Sequence, residues 1–450
     1  MSELPPGPSS AGTALNQLFL SAPFQFLKDC YEKYGDIFTL ELGDWGISQF
    51  QASGKWVFLA NAEYLKILFK TDDSVMLGGR ANQIQFQQSL PLDGSIMLDG
   101  APHLARRKIL GKLMQSKKNI QLFTDALNHI IEDEISAFPH DQPFRLIESF
   151  NRISAQAIRV LTFGPENTQE IDALSVQAGQ FGELGMTRIQ KQAVLAACHE
   201  KIEPLLASCP YSSKGNDHGG DDNGHGGADG NHVHAILMKA WKSDQLLQQS
   251  EVEAELLVML LAGADTTASA MGWVMAQILA HPPVHEKAME ELNRVFAGDK
   301  PTAEKLDQLR YLDAVIHEAC RLSPLLLNSA ARLLIQPLQI GDYCLPQGTM
   351  VLSCMHLIHT RADYYPEPLL FKPERFFGIH PDPYKHVFFG GGIRRCLGMT
   401  FALHLIKLTV AVLLYRCKFD PIQAIAGTEV NRSFLVPKGG VLVKLKDAHS

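Results

Sequence analysis

His386-Val-Phe-Phe-Gly-Gly-Gly-Ile-Arg-Arg-Cys-Leu-Gly398 sets one cysteine, Cys396, among glycines, arginines and a phenylalanine, with an apolar segment directly behind it. A thiolate is a good metal ligand and a costly anion, so a chain that uses one must stabilise it nearby. Three features of the run can do so. From Leu397 to about Cys417 the chain is apolar at helical spacing, which puts the sulfur at a helix N-terminus, where unpaired amides and the macrodipole favour negative charge. Gly392 and Gly398 supply turns without Cβ crowding. Phe389 can keep water off the sulfur, and Arg394 is placed to reach an anion. A structural zinc site wants paired ligands two to four residues apart, and Cys396 has none. A buried free thiol is the plain alternative for an isolated cysteine, and the fixed offsets of its neighbours weigh against it.

The pattern Phe389-x-x-Gly392-x-Arg394-x-Cys396-x-Gly398 resembles the haem-binding signature of the cytochrome P450 monooxygenases. Other stretches in the same order extend the resemblance along nearly the whole chain. It implies a mainly α fold with a smaller β-rich region, in which haem b lies between a long central helix and the cysteine loop, with the Cys396 thiolate as proximal iron ligand. It also implies a single catalytic domain over residues 1–450.

At 450 residues and 46% hydrophobic content the chain can bury a large core, as one large domain or two ordinary ones. Its eight cysteines are scattered without a paired framework, which suggests a reducing, cytoplasmic setting. The first thirty residues show neither a signal-peptide pattern nor an apolar run long enough for a membrane anchor. In membrane-bound members of the family a proline-rich stretch follows the anchor. Here Leu4-Pro-Pro-Gly-Pro8 opens the chain, which points to a soluble bacterial type or to a chain trimmed of its anchor. A net charge of −7 argues against nucleic-acid binding. Between Gly100 and Thr124, however, Arg106, Arg107, Lys108, Lys112, Lys117 and Lys118 occur without an acid, which predicts a local basic face.

Ile37 to Gly43 and Lys55 to Asn61 read as a strand pair, followed by a helix over Ala62 to Phe69. Periodic apolar residues predict helices at Leu122 to Phe138, Ile147 to Leu161, Ala193 to Leu206 and Val233 to Trp241. Residues 212–232 hold seven glycines, four aspartates and three histidines, and read as a flexible surface loop rather than a metal site.

Ser250-Glu-Val-Glu253 reads as a capping box that opens a helix running to Ala280, where His281-Pro-Pro283 stops it. Leu256 to Ala262 is apolar on every face, so the helix is buried or spans a membrane. Asp265 in its middle favours a buried helix that crosses a wet site. Taken singly, Thr266 would bond back to the Ala262 carbonyl, and Asp265 would pair with a base. The stretch Ala262-Gly-Ala-Asp-Thr-Thr267 matches the family's oxygen-activation segment. The resemblance implies that small residues such as Ala262 leave room over the haem, that Thr266 hydrogen-bonds dioxygen and that Asp265 relays protons to it.

Glu318 and Arg321 share a helical face. The resemblance adds Arg375, from Phe371-Lys-Pro-Glu-Arg-Phe376, as the third member of a buried triad that serves folding and shapes the thiolate loop. His103 and Arg107, four apart on one helical face, match family positions that hold haem propionates, and Arg332 and Arg394 complete that set. Leu405 departs from the glutamate that many members carry there.

Together these features imply a haem-thiolate monooxygenase that uses dioxygen to hydroxylate or epoxidise a lipophilic small molecule of fatty acid, terpenoid or polyketide class, a chemistry common in secondary metabolism. Apolar stretches at Ile84 to Leu98, Leu325 to Ala330 and Ser433 to Val436 fall where the family lines its pocket. No flavin or iron-sulfur motif is present, so the two electrons come from a separate ferredoxin or flavodoxin with its reductase. The basic stretch is a candidate docking face for that donor. An isomerase or peroxygenase that dispenses with dioxygen activation is the rival, and it predicts loss of the acid-alcohol pair. A haem sensor or electron carrier ranks behind both, because it needs no apolar chamber.

Overall fold

The computed structural model describes residues 4–9, 22–42, 52–86, 90–140, 142–165, 168–182, 187–208, 232–323, 325–326, 329–422, 427–431 and 434–448. They form a mainly helical protein with a smaller β component. The chain divides into two compact units, each assembled from two stretches: Met1–Leu104 with Ala314–Cys396, and Ala105–Asp313 with Leu397–Ser450.

The first unit is organised on a five-stranded sheet in the order Ile37–Glu41, Lys55–Leu59, Met350–Ser353, Ser329–Leu334 and Met76–Leu77. The first two strands pair antiparallel, with Ile37 opposite Leu59, and Lys55–Leu59 then runs parallel to Met350–Ser353. Both faces are covered. Alternate residues Phe38, Leu40, Trp56, Phe58 and Leu352 enter one core, while Ile37, Val57, Leu59 and Val351 enter another. Phe38 and Phe58, directly opposite in register, stack at 5.5 Å. The expected strand pair is therefore present but ends sooner, at Glu41 and Leu59. The proline-rich opening lies along its edge, where Thr39 donates to the carbonyls of Pro5 (2.7 Å) and Pro6 (3.0 Å).

The second unit is built around the 32-residue helix Gln249–Ala280. Its capping box is formed by Gln248 and Glu251, two residues before the predicted Ser250 and Glu253. The Glu251 carboxylate accepts the Gln248 N–H at 2.8 Å, whereas Glu253 is engaged by the Gln249 side chain. Helices Leu146–Phe163 and Met399–Arg416 and strand Phe434–Pro437 pack on this long helix. Trp273 donates its indole N–H to the Leu435 carbonyl at 2.9 Å. Gln249–Ala280 and Met399–Arg416 are both long and apolar enough to cross a membrane, and both are mostly buried in the fold. Leu405, within the latter, is buried.

The helices expected from periodicity occur at Thr124–Ser136, Leu146–Phe163, Arg188–Ser208 and Val233–Lys242. The loop expected over 212–232 lies outside the described residues except for His232, whose ring caps the last of these helices by accepting the Ala235 N–H.

Candidate active site

The cysteine loop belongs to the first unit, and its backbone explains its glycines. The Cys396 N–H donates to the Phe389 carbonyl at 2.9 Å, closing the loop on itself. Gly390 (φ +66°) and Gly392 (φ +64°) occupy the left-handed region, which a side chain would strain. A Cβ on Gly391 would lie 2.2 Å from the Phe69 ring, so helix Ala62–Lys70 presses directly on the loop. Gly398 plays a different part from the one the sequence suggests. It has φ −81°, open to any residue, and serves as the N-cap of Met399–Arg416. Cys396 is exposed, whereas the other described cysteines are buried or, for Cys344, half-buried. Burial pushes the thiols of the buried cysteines up, Cys320 and Cys354 to about 12, which suits inert core residues rather than ligands.

Close to this loop the unit gathers cations. Arg332, on strand Ser329–Leu334, is buried, and Arg394 is half-buried with its side chain 7% exposed. Burial first, and then the neighbouring Arg394, push the Arg332 guanidinium down to about 10. Arg394 is not held in reserve, since it bonds Asp99 at 2.6 Å. Asp99 also accepts the N–H groups of Gly79 (2.6 Å) and Arg80 (2.8 Å) and so caps helix Gly78–Gln85. His103 is buried in helix Gly100–Met114, and Arg107 stands half-buried one turn on.

Below the loop, Glu318 and Arg321 form a fully buried bidentate pair, both bonds at 2.7 Å. Arg375 reaches Glu318 at 3.2 Å, and the Lys372 N–H reaches it at 2.9 Å. Arg321 further donates to the carbonyls of His359 (2.6 Å) and Pro368 (2.7 Å). A buried charge set this fully bonded is costly to break. The sequence offered no sign of His359, whose ring touches Arg321 on one side and Val387 on the other.

In the second unit the long helix carries Ala262, Asp265 and Thr266, the residues expected on the oxygen side. Ala254 to Leu260 and Thr267 to Ala276 are buried, but between them Ala262 is exposed and Gly263 to Thr266 are half-buried. An otherwise core helix thus opens over one turn. Thr266 donates to the Ala262 carbonyl at 2.8 Å, the local bond its residue type favours.

The basic stretch differs from expectation at Arg106. Its side chain points inward and bonds Glu251 at 2.5 Å and the fully buried Glu255 at 3.2 Å, so it adds nothing to an outer face. Lys108, Lys112, Lys117 and Lys118 remain exposed, with Lys117 bonded to Asp307 at 2.6 Å. The cause is the glutamate pair one turn apart on the long helix, which draws the one arginine facing it.

The side chains present fit a haem. The first unit, taken by itself, holds an exposed thiol in a loop with Arg332 and Arg394 in the same unit, and the second, taken by itself, holds a helical turn of small residues left open. Arg332, whose charging is made costly by burial and by the neighbouring Arg394, is suited to a carboxylate such as a propionate.

Comparisons with known proteins point the same way. The sequence profile of the family described as Cytochrome P450 matches residues 227–445. Cytochrome P450 135B1 of Mycobacterium tuberculosis is 26% identical over 98% of this chain and 91% of its own. Cytochrome P450 3A19 of Capra hircus aegagrus is 33% identical over 38% of this chain and 81% of its own. Among solved structures, a retinoic-acid-bound cyanobacterial CYP120A1 covers 99% of this chain and 100% of its own, with a TM-score of 0.80 at 24% identity.

Proposed function

The chain belongs to the cytochrome P450 superfamily and is a haem monooxygenase, and from that footing we propose that Cys396 is its thiolate ligand and a lipophilic small molecule its substrate. Haem bound through a cysteine thiolate supplies dioxygen binding and O–O cleavage, with the sulfur's electron donation favouring the cleavage. What this chain contributes is placement and charge. Arg332, Arg394, His103 and Arg107 would hold the propionates, and Phe389 would keep water from the sulfur. Asp265 and Thr266 would bring protons to the oxygen side. Glu318, Arg321 and Arg375 keep the cysteine loop in shape without taking part in the chemistry.

One observation carries the reading: between Ala254 and Ala276 the long helix is buried except from Leu261 to Thr266. A helix of purely structural purpose would have no reason to expose an acid and an alcohol at its buried centre. A fatty acid, terpenoid or polyketide suits the apolar, partly exposed Phe86, Leu92 and Leu326, and the retinoic acid of the cyanobacterial neighbour is a lipophile of that kind. Electrons are supplied by a separate ferredoxin or flavodoxin with its reductase, and the setting is cytoplasmic.

The test has two stages. Ferric protein titrated with a panel of fatty acids, terpenoids and polyketides should show a Soret shift for members of one class. The responding compound, turned over with a ferredoxin, its reductase and labelled dioxygen, should gain one labelled oxygen atom. Product that carries no label would favour isomerase or peroxygenase chemistry instead.

A further inference from the structure

We propose that Ser154 is a positioning residue for the oxygen-side turn of the long helix. This rests on the roles given above to Asp265 and Thr266. Four successive carbonyls of that turn each accept a hydroxyl. Thr266 donates to Ala262 (2.8 Å), Thr267 to Gly263 (2.8 Å), Ser154 to Ala264 (2.7 Å) and Ser269 to Asp265 (2.8 Å). Three of these bonds are local to the helix. The fourth comes from helix Leu146–Phe163, and its donor is 1% exposed.

Hydroxyls bonded to helix carbonyls compete with the backbone ladder and bend the helix. Four in a row make the turn that carries Asp265 and Thr266 the least self-supporting part of a 32-residue helix. An outside anchor then decides where that turn rests. The crossing helix is fitted to it over one face. Ile158, four residues after Ser154, approaches so closely that a Cβ on Gly263 would meet its Cδ1 at 2.5 Å. Ile158 thus presses on the turn at Gly263 while Ser154 ties the next carbonyl. Fixing the backbone from behind is how a site holds a proton donor without crowding it.

Holoenzyme carrying Ser154→Ala, Ser154→Cys or Thr266→Ala is compared with the wild type, using a ferredoxin, its reductase and lauric acid as the probe. Two quantities are read: hydrogen peroxide released per NADPH consumed, and amide exchange across residues 262–269. Both Ser154 variants should keep the thiolate-type carbonyl band. Ser154→Ala should raise peroxide yield and local exchange by about fivefold, the factor that one lost neutral hydrogen bond carries. Ser154→Cys fills the same volume with a weak donor and should move both in the same direction, so the question survives an unstable alanine variant. A merely structural serine would speed exchange and leave peroxide yield unchanged. That result, with Thr266→Ala still uncoupled, overturns this proposal alone. Unchanged coupling in Thr266→Ala overturns the reading it rests on, and the proposal with it.

Discussion

The ring of His359 accepts the Val387 N–H at Nε2 (2.9 Å), and its Nδ1 donates to the Arg321 carbonyl (3.0 Å). Because a backbone N–H can only donate, Nε2 must be bare and Nδ1 must carry the proton. Burial, with His386 and Arg321 nearby, holds the ring well below the usual imidazole range, which keeps it neutral. The imidazole therefore joins the buried Glu318–Arg321 pair to the residue that begins the cysteine loop.

Replacing His359 with leucine orphans one buried donor and one buried acceptor. The expected cost is about 2–5 kcal/mol, together with faster haem loss. Denaturant midpoints and haem transfer to apomyoglobin measure the two effects. Unchanged haem retention would show that the link carries no load.

Cys396→Ser should abolish the thiolate-type band of the reduced carbonyl complex. The residue is exposed, so the apoprotein's unfolding free energy should stay within about 0.5 kcal/mol of wild type. A variant that kept the band would remove the assignment of the ligand.

Arg106→Met strands Glu255, whose side chain is fully buried, and should destabilise the fold by about 3–5 kcal/mol. Removing the stranded charge as well, in Arg106→Met with Glu255→Leu, should recover most of the loss. Equilibrium unfolding in urea reads both. Additive losses in the double variant would mean the two side chains do not depend on each other.

Acid should destabilise the protein through its buried histidines. Burial pushes His386 down to about 4 from an ordinary 6.5, so the unfolded chain takes up its proton first as pH falls. Stability is therefore complete above about pH 6.5 and declines toward pH 4, by up to about 1.4 kcal/mol per pH unit for this group. His386→Gln should flatten that slope in a series of thermal melts. An unaltered slope would assign the acid sensitivity to other groups.

How much of this was legible depended on where each residue's partner lies. Cys396 could be read because a thiolate's support must be local, and the alternation of Phe38 and Phe58 against Ile37 and Val57 shows in any strand. Arg106 was misread because a base in a basic run looks solvated, and Glu251, the partner that buries it, is 145 residues away. The same holds for Asp99 with Arg394 and for His359 with Val387, where no spacing signals the contact. The glycines were only half legible. Positive φ at Gly392 follows the motif, but the Phe69 ring against Gly391 is a tertiary fact. The helix start moved because glutamine is a weak N-cap by type, and only the reciprocal bonds of Gln248 and Glu251 give it away.

With Arg106 turned inward and Arg107 half-buried, the fully exposed cations of this stretch are amines: Lys108, Lys112, Lys117 and Lys118. Acylating reagents neutralise amines and leave guanidinium untouched. Mild acetylation should therefore remove most of the outer charge of this stretch while the ion pairs of Arg106 with Glu251 and Glu255 stay intact, a separation that substitution of neighbouring residues achieves less cleanly.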